Sequence, residues 1–214
     1  MSRLRMNISM SLDGYSAGPD PSLDDPLGKG GEQLHEWALG LAAWRQPHGL
    51  EGGEANESTQ VMEAMQANVG ATIMGRNMFG GQGRWEDEPW DGWWGENPPF
   101  HHPVFVLTHH PREPLEMQGG TTFSFVTDGI ESAFEQARAA AGDKNVALGG
   151  GASVAQQYLV AGLLDELRLH AVPVLLGGGT RLFENHVGSD IPRLEQAAAI
   201  ESPAVTHLTY RVVK

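Results

Sequence analysis

Hydrophobic and polar positions alternate from Leu4 to Leu12, where Leu4, Met6, Ile8 and Met10 take every second place, a period of two that predicts a strand. The turn dipeptide Asp13-Gly14 ends it. Residues 17–31 carry three prolines and four glycines and are predicted to be irregular. From Glu32 to Ala43 the period changes: Leu34, Trp37, Ala38, Leu41 and Ala42 form an amphipathic helical stripe. A polar loop (46–57) and a short helix (58–68) with Val61, Met62 and Met65 on one side follow. Val69–Met74 and Pro103–Thr108 are compact apolar runs of strand length, separated by a long loop (80–102) that holds Trp85, Trp90, Trp93 and Trp94. Phe123–Val126 is a further strand. The next helix has Asp128 and Glu131 in a capping pattern, with Ile130, Ala133, Phe134, Ala137 and Ala141 as its buried stripe. Asn145–Leu148 is a strand that runs straight into Gly149-Gly150-Gly151. A helix to Ala161 follows, with Ser153 and Gln156 as a second capping pattern and Gly162 as its C-cap.

Asp165–Val174 alternates again, with Leu167, Leu169 and Ala171 on one face and Arg168, His170 and Val172 on the other. Leu194–Glu201 and Ala204–Val213 read as a hairpin around Ser202-Pro203. Strands alternating with helices, then a strand-rich tail, predict an α/β protein: a three-layer fold with a mostly parallel central sheet and an antiparallel C-terminal hairpin. No linker interrupts the pattern, so residues 1–214 read as one domain.

Composition narrows the function classes. There is no cysteine, which excludes disulfides, thiolate metal sites and a cysteine nucleophile. A net charge of −13 opposes non-specific contact with nucleic-acid phosphates. No apolar run is long enough to span a membrane and the first residues lack a signal-peptide core, so the expected setting is the cytoplasm.

The strand–glycine–helix unit at 145–161 carries the strongest chemical signal. Glycines let the backbone approach a ligand, and a helix N-terminus offers unpaired N–H groups to an anion such as pyrophosphate. The same residues also suit a tight turn with no ligand; neither G-x-G-x-x-G nor GK[ST] is present. Gly75-Arg76-Asn77 ends a second strand, where Arg76 is either a phosphate partner or a surface cation. Thr108-His109 ends a third. Ligands of open α/β sheets gather beyond the C-terminal strand ends, so the three ends point to one crevice. The pairs His101-His102 and His109-His110 do not predict a metal site, because neighbours on a strand face opposite sides. The four tryptophans either stack a flat ring, bury a dimer contact or pin their own loop. Gly177-Gly178-Gly179 is a backbone approach point or a turn, and Asp13 an acid or a turn residue.

The stretches SLDGYSAG (11–18), IMGRNMF (73–79), FVLTHH (105–110) and LGGGASVAQQYLVAGLLDELRLHAVPVLLGGG (148–179) together resemble the dihydrofolate reductase superfamily, and within it the RibD C-terminal branch of bacterial riboflavin-biosynthesis reductases. The resemblance implies that fold, a reductase activity and NADPH as cofactor. It implies that Gly75, Arg76 and Asn77 meet the cofactor phosphates, Thr108 and His109 the adenosine end, and Gly149, Gly150, Gly151, Ala152, Ser153 and Val154 the pyrophosphate. Leu148, Ser9 and Met10 fall at the nicotinamide end, with Asp13 in a neighbouring loop. Folate reductases carry a carboxylate side chain on the first helix that binds the pterin; here Glu32, Gln33, His35 and Glu36 are the polar residues of that segment, and His170 matches a strand position facing it. The catalytic candidates are therefore Asp13, Glu36 and His170. The implied substrate is a small heterocycle reduced at C=N or C=O, similar to 5-amino-6-(5-phosphoribosylamino)uracil, and the implied assembly a homodimer. A folate reductase proper and a non-catalytic NADPH-binding protein are the alternatives. A riboflavin-type deaminase activity is not expected, since its zinc site needs P-C-x-x-C.

Overall fold

The structure is a computed structural model that describes residues 2–81, 85, 91–184 and 192–214; Trp90 lies outside these. The first alternating run forms β1 (Leu4–Ser11), and after the Asp13-Gly14 turn a short β2 (Tyr15–Ala17) lies within the segment read as irregular. The stripe from Leu34 to Ala42 is buried along most of its length, yet one helix does not carry it. It is split among a 3-10 turn (Gly31–Leu34), α1 (Glu36–Leu39) and α2 (Ala42–Arg45). The cause is competition for backbone groups. Glu54 N–H donates to the Gly40 carbonyl and Ala42 N–H to the Glu54 carbonyl, both at 2.9 Å, and Leu41 is extended (φ −79°, ψ 139°). These bonds replace the ones a continuous helix would need.

The chain continues through α3 (Glu57–Gln66), β3 (Val69–Gly75), α4 (Arg76–Phe79), β4 (Pro103–Leu107), β5 (Leu115–Glu116), β6 (Thr122–Val126) and α5 (Ile130–Ala141). It then forms β7 (Asn145–Gly150), α6 (Ala152–Val160), β8 (Glu166–Val172), β9 (Thr180–Arg181), β10 (Arg193–Ser202) and β11 (Val205–Val213). Neither capping reading holds. The N-caps of α5 and α6 are Gly129 and Gly151, without a side-chain bond. β7 runs on to Gly150 and α6 starts at Ala152, so Ser153 is already inside the helix. The capping box is instead at α3, where Asn56 Oδ1 accepts from Ser58 N–H and Thr59 Oγ1 accepts from Asn56 N–H.

Among the described residues the main sheet has nine strands in the order β10-β11-β8-β1-β7-β3-β4-β6-β5. From β8 to β6 every pairing is parallel, while β11, β10 and β5 add antiparallel edges. The fold is thus α/β, with a mostly parallel central sheet and antiparallel edges.

Alternation along the strands sorts side chains into two layers. Leu4, Met6, Ile73, Phe105, Val146, Leu148, Leu167 and Leu169 pack with Ala133 and Ala137 of α5 and Val154 and Tyr158 of α6. Tyr158 OH ties the two helices by donating to the Ile130 carbonyl at 2.7 Å. On the opposite face Met74, Val104, Val106 and Phe123 meet Phe79, Trp85 and Trp94, and Val172 and Val205 meet Leu34, Trp37 and Met62. Among the described residues no helix is long and apolar enough to cross a membrane.

Candidate active site

A cavity of about 870 Å³ opens beyond the C-terminal ends of the parallel strands. Its wall includes Gly75, Arg76 and Asn77 after β3, Thr108 and His109 after β4, and Gly149, Gly150, Gly151, Ala152, Ser153 and Val154 between β7 and α6. The three strand ends singled out in the sequence thus face one space. A fourth end, Thr127 and Gly129 after β6, belongs to the same wall. The strand-end rule reaches it too, once β6 is known to lie beside β4.

Two glycines shape the floor. A Cβ on Gly75 would lie 2.9 Å from Val154 Cγ2, so β3 and α6 meet closely only because that atom is missing. Gly150 has φ +131°, a conformation L side chains rarely adopt. The first N–H groups of α6 have no intrahelical partners, and with the helix dipole they suit an anion. The residues present therefore fit a pyrophosphate laid across this loop.

Arg76 is 9 % exposed and its guanidinium stacks on Trp85, with Cζ 3.7 Å from the ring centroid. Trp85 Nε1 donates to the His110 carbonyl at 2.8 Å, and Thr108 Oγ1 accepts from His110 N–H at 3.1 Å. The tryptophan loop is therefore stitched to the turn after β4. Trp85 packs edge-on against Phe79 and Phe125, and Trp94 against Phe100, while both Trp93 and Trp94 line the cavity. Trp85 and Trp94 are partners of the protein's own core, which removes them from the surplus of surface rings that suggested a dimer contact.

At the β1 end the wall is made of Ile8, Ser16, Ala17, Pro21, Pro26, Leu27, His35 and Thr180. Ser9, Met10 and Leu148 do not line it. Ser9 is buried and its Oγ accepts from Trp37 Nε1 at 3.2 Å, Met10 packs against the helix-α6 layer, and Leu148 is inside that layer. Asp13 is outside the wall as well: it accepts from Ser11 Oγ (2.6 Å) and from the N–H groups of Leu176 (3.1 Å) and Gly177 (2.7 Å). The Ser11 bond above all holds its carboxyl at about 2, and the residue clasps two turns together. Glu36 is exposed to solvent. His170 is 2 % exposed, with Nδ1 2.8 Å from His207 Nδ1; burial first, then His207, Arg168 and His35, push it well below the ordinary histidine range. Of the four polar residues named on the first helical segment, His35 is the one in the cavity wall. Its burial lowers its pKa, with the Gly31 carbonyl acting in the opposite direction.

A family model described as the RibD C-terminal domain matches residues 2–207. Among solved structures, a protein from Shewanella sp. PV-4 assigned to riboflavin biosynthesis superposes with a TM-score of 0.63 at 22% identity, covering 100% of both chains. RibD of Acinetobacter baumannii gives 0.60 at 17% identity over 100% of this chain and 58% of its own, so the chain spans about three fifths of that protein. Dihydrofolate reductase of Enterococcus faecalis, solved with NADP(H), gives 0.54 at 14% identity over 99% of this chain and 97% of the other. At these identities the likeness is one of fold. No curated protein matches the chain.

Proposed function

The chain belongs to the RibD C-terminal domain family, and on that premise we propose that it is an NADPH-dependent reductase acting on C=N or C=O of a small heterocyclic substrate. The observation that carries this reading is the single cavity wall shared by the glycine loop, Arg76 and the turn after β4. Gly149 to Val154 would hold the pyrophosphate, Arg76 and Asn77 the phosphate on the adenosine ribose, and Thr108 and His109 the adenosine. Ser9, Met10 and Leu148 back the wall on β1 and β7 without lining it. The bound cofactor would supply the hydride; the protein's part is to hold the phosphates, keep water from the β1 end and present a flat acceptor to it. Ile8, Ala17, Pro21, Leu27 and Trp93 give that end an apolar, aromatic lining suited to a planar ring.

The test is binding of NADPH and NADH by tryptophan fluorescence, followed by NADPH oxidation with dihydrofolate, 5-amino-6-(5-phosphoribosylamino)uracil and simple carbonyls. Turnover of dihydrofolate alone would favour a folate reductase proper. NADPH binding without any turnover would favour a non-catalytic binding protein, and no NADPH binding would end the proposal.

We also propose that two copies pair. Among the described residues strand β10 is one edge of the sheet, and its residues 195–201, including three alanines and Ile200, are exposed. An unpaired edge of that length is a template for a second chain. Light scattering giving a 23.1 kDa particle at tens of micromolar would overturn it.

A further inference from the structure

Behind the β1 end of the cavity runs a row of hydrogen bonds that no step so far uses. Ser58 donates its hydroxyl proton to Ser202 Oγ at 2.8 Å, and Ser202 donates to Asn56 Oδ1 at 3.4 Å. Ser58 Oγ is thereby left to accept from His207 Nε2, 2.9 Å away. With its proton on Nε2, His207 has a bare Nδ1, so His170 Nδ1 carries the proton in the 2.8 Å contact between them. His170 Nε2 is then a buried lone pair with no partner among the described residues. Each donor in the row points away from His170, which fixes both tautomers.

Trp37 closes over this pair, its ring 4.9 Å from each imidazole, and its N–H to Ser9 fastens it to β1. Trp37 is on α1, and His35 is the residue that enters α1. The histidine pair thus fixes Trp37, and Trp37 fixes the helix start that places His35 in the wall. His35 Nδ1 is also buried without a partner. The titratable residues among the described wall are His35, Arg76, His109 and His110. Arginine does not give up its proton. His109 and His110 follow β4, which is separated from β1 by β3 and β7. His35 alone of these four stands with Ile8 of β1 and Ala17 of β2.

Resting on the reductase reading, we propose that His35 is the residue that exchanges a proton with the acceptor, and that His170 and His207 are positioning residues that hold it there through Trp37. Reduction adds a hydride and its electron pair to the carbon of the C=N or C=O bond. The displaced π pair settles on nitrogen or oxygen, which takes one proton from the His35 imidazolium. His35 ends neutral and regains a proton from water, so NADPH, one proton and the acceptor give NADP⁺ and the reduced acceptor. The groups round His35 are His170 on β8, kept neutral by burial, and Glu32 and Glu36 on its own segment, both turned to solvent. Since burial lowers His35, its acid form gains as pH falls, and the rate should rise in that direction.

The experiment compares wild type with His35→Gln, His35→Asn and His170→Gln. Each is measured for NADPH affinity and for kcat against pH, with whichever of dihydrofolate and 5-amino-6-(5-phosphoribosylamino)uracil the wild type reduces faster. We expect the His35 variants to keep NADPH affinity within about twofold and lose about 100-fold in kcat together with the acid limb, a usual size for general acid catalysis. His170→Gln should move the midpoint of that limb. A His35→Gln enzyme with wild-type kcat and pH profile would overturn the proposal while leaving the reductase reading intact. Failure of wild type to bind NADPH would overturn the reductase reading itself, and this inference with it. If wild type binds NADPH but reduces neither compound, ring-¹⁵N NMR decides, with the His35 signal assigned by its loss in His35→Gln. A shift of that signal when NADP⁺ and either compound are added supports the proposal, and an unmoved signal overturns it.

Discussion

The two ends of the cavity are built from different materials. At the β7 end the wall is backbone: Gly75, Gly149, Gly150 and Gly151 bring no side chains, and on the proposed reading the start of α6 would offer its N–H groups to the phosphates. At the β1 end side chains do it, and each depends on others far away in sequence. His35 rests on Trp37, Trp37 on His170 and His207, and His207 on Ser58. A backbone site is specified locally by the need for glycine. A side-chain site is specified by tertiary contacts, so damage at one member should spread to its neighbours.

The largest effect is expected from Gly150→Val, which attacks the backbone end alone. At φ +131° a branched side chain costs roughly 1–3 kcal/mol in strain and also intrudes on the pyrophosphate path. NADPH affinity should fall about 100-fold or more, since each tenfold is about 1.4 kcal/mol. Fluorescence titration beside an unfolding curve separates lost binding from lost fold; unchanged affinity would make the loop a simple turn. Arg76→Ala comes next. A charge-assisted bond of roughly 1.5 kcal/mol would set about a tenfold preference for NADPH over NADH, and the variant should lose most of it. Equal losses for both cofactors would instead place Arg76 at the shared pyrophosphate.

The smallest effect probes the other end. His170 and His207 are held neutral in the fold, mainly by burial, whereas unfolded histidine titrates near 6.5. Below that value the unfolded chain takes up protons that the folded pair refuses. Stability should therefore be complete above pH 6.5 and decline as pH falls toward 4, by about 1.4 kcal/mol per pH unit for each proton. Urea unfolding at pH 7, 6 and 5 should show a shallower decline in His170→Gln, with NADPH affinity unaltered. An unchanged slope would mean the pair contributes nothing to acid sensitivity.

This contrast also explains what was legible beforehand. β1 and β8 follow from a period of two, β3 and β4 from compact apolar runs and α5 from a period of 3.6, whereas the short β2, β5 and β9 carry no such signal; Gly149–Gly151, Gly75 and Thr108 announce themselves at strand ends. The first helical stripe was legible as a buried face but not as three pieces, because the bonds from Glu54 to Gly40 and Ala42 belong to a loop that carries no such signal. The pairing of His170 with His207 is a register between β8 and β11, which alternation alone leaves open. Asp13 was legible as a turn residue, though not its clasp on Leu176 and Gly177, 163 and 164 residues later.

The place of β1 in the sheet has a kinetic consequence. It is early in the chain, yet both its neighbours, β7 and β8, come from residues beyond 144. During synthesis Leu4, Met6 and Ile8 must wait, unpaired, until most of the chain has emerged. Parallel pairing across such separations closes long loops before any contact rewards them, which makes folding slow. The waiting strand is an apolar segment of the kind that chaperones shield. A circular permutant opened between α5 and β7, which places β1 after β11 and so shortens its separation from both β7 and β8, should refold faster than the natural order.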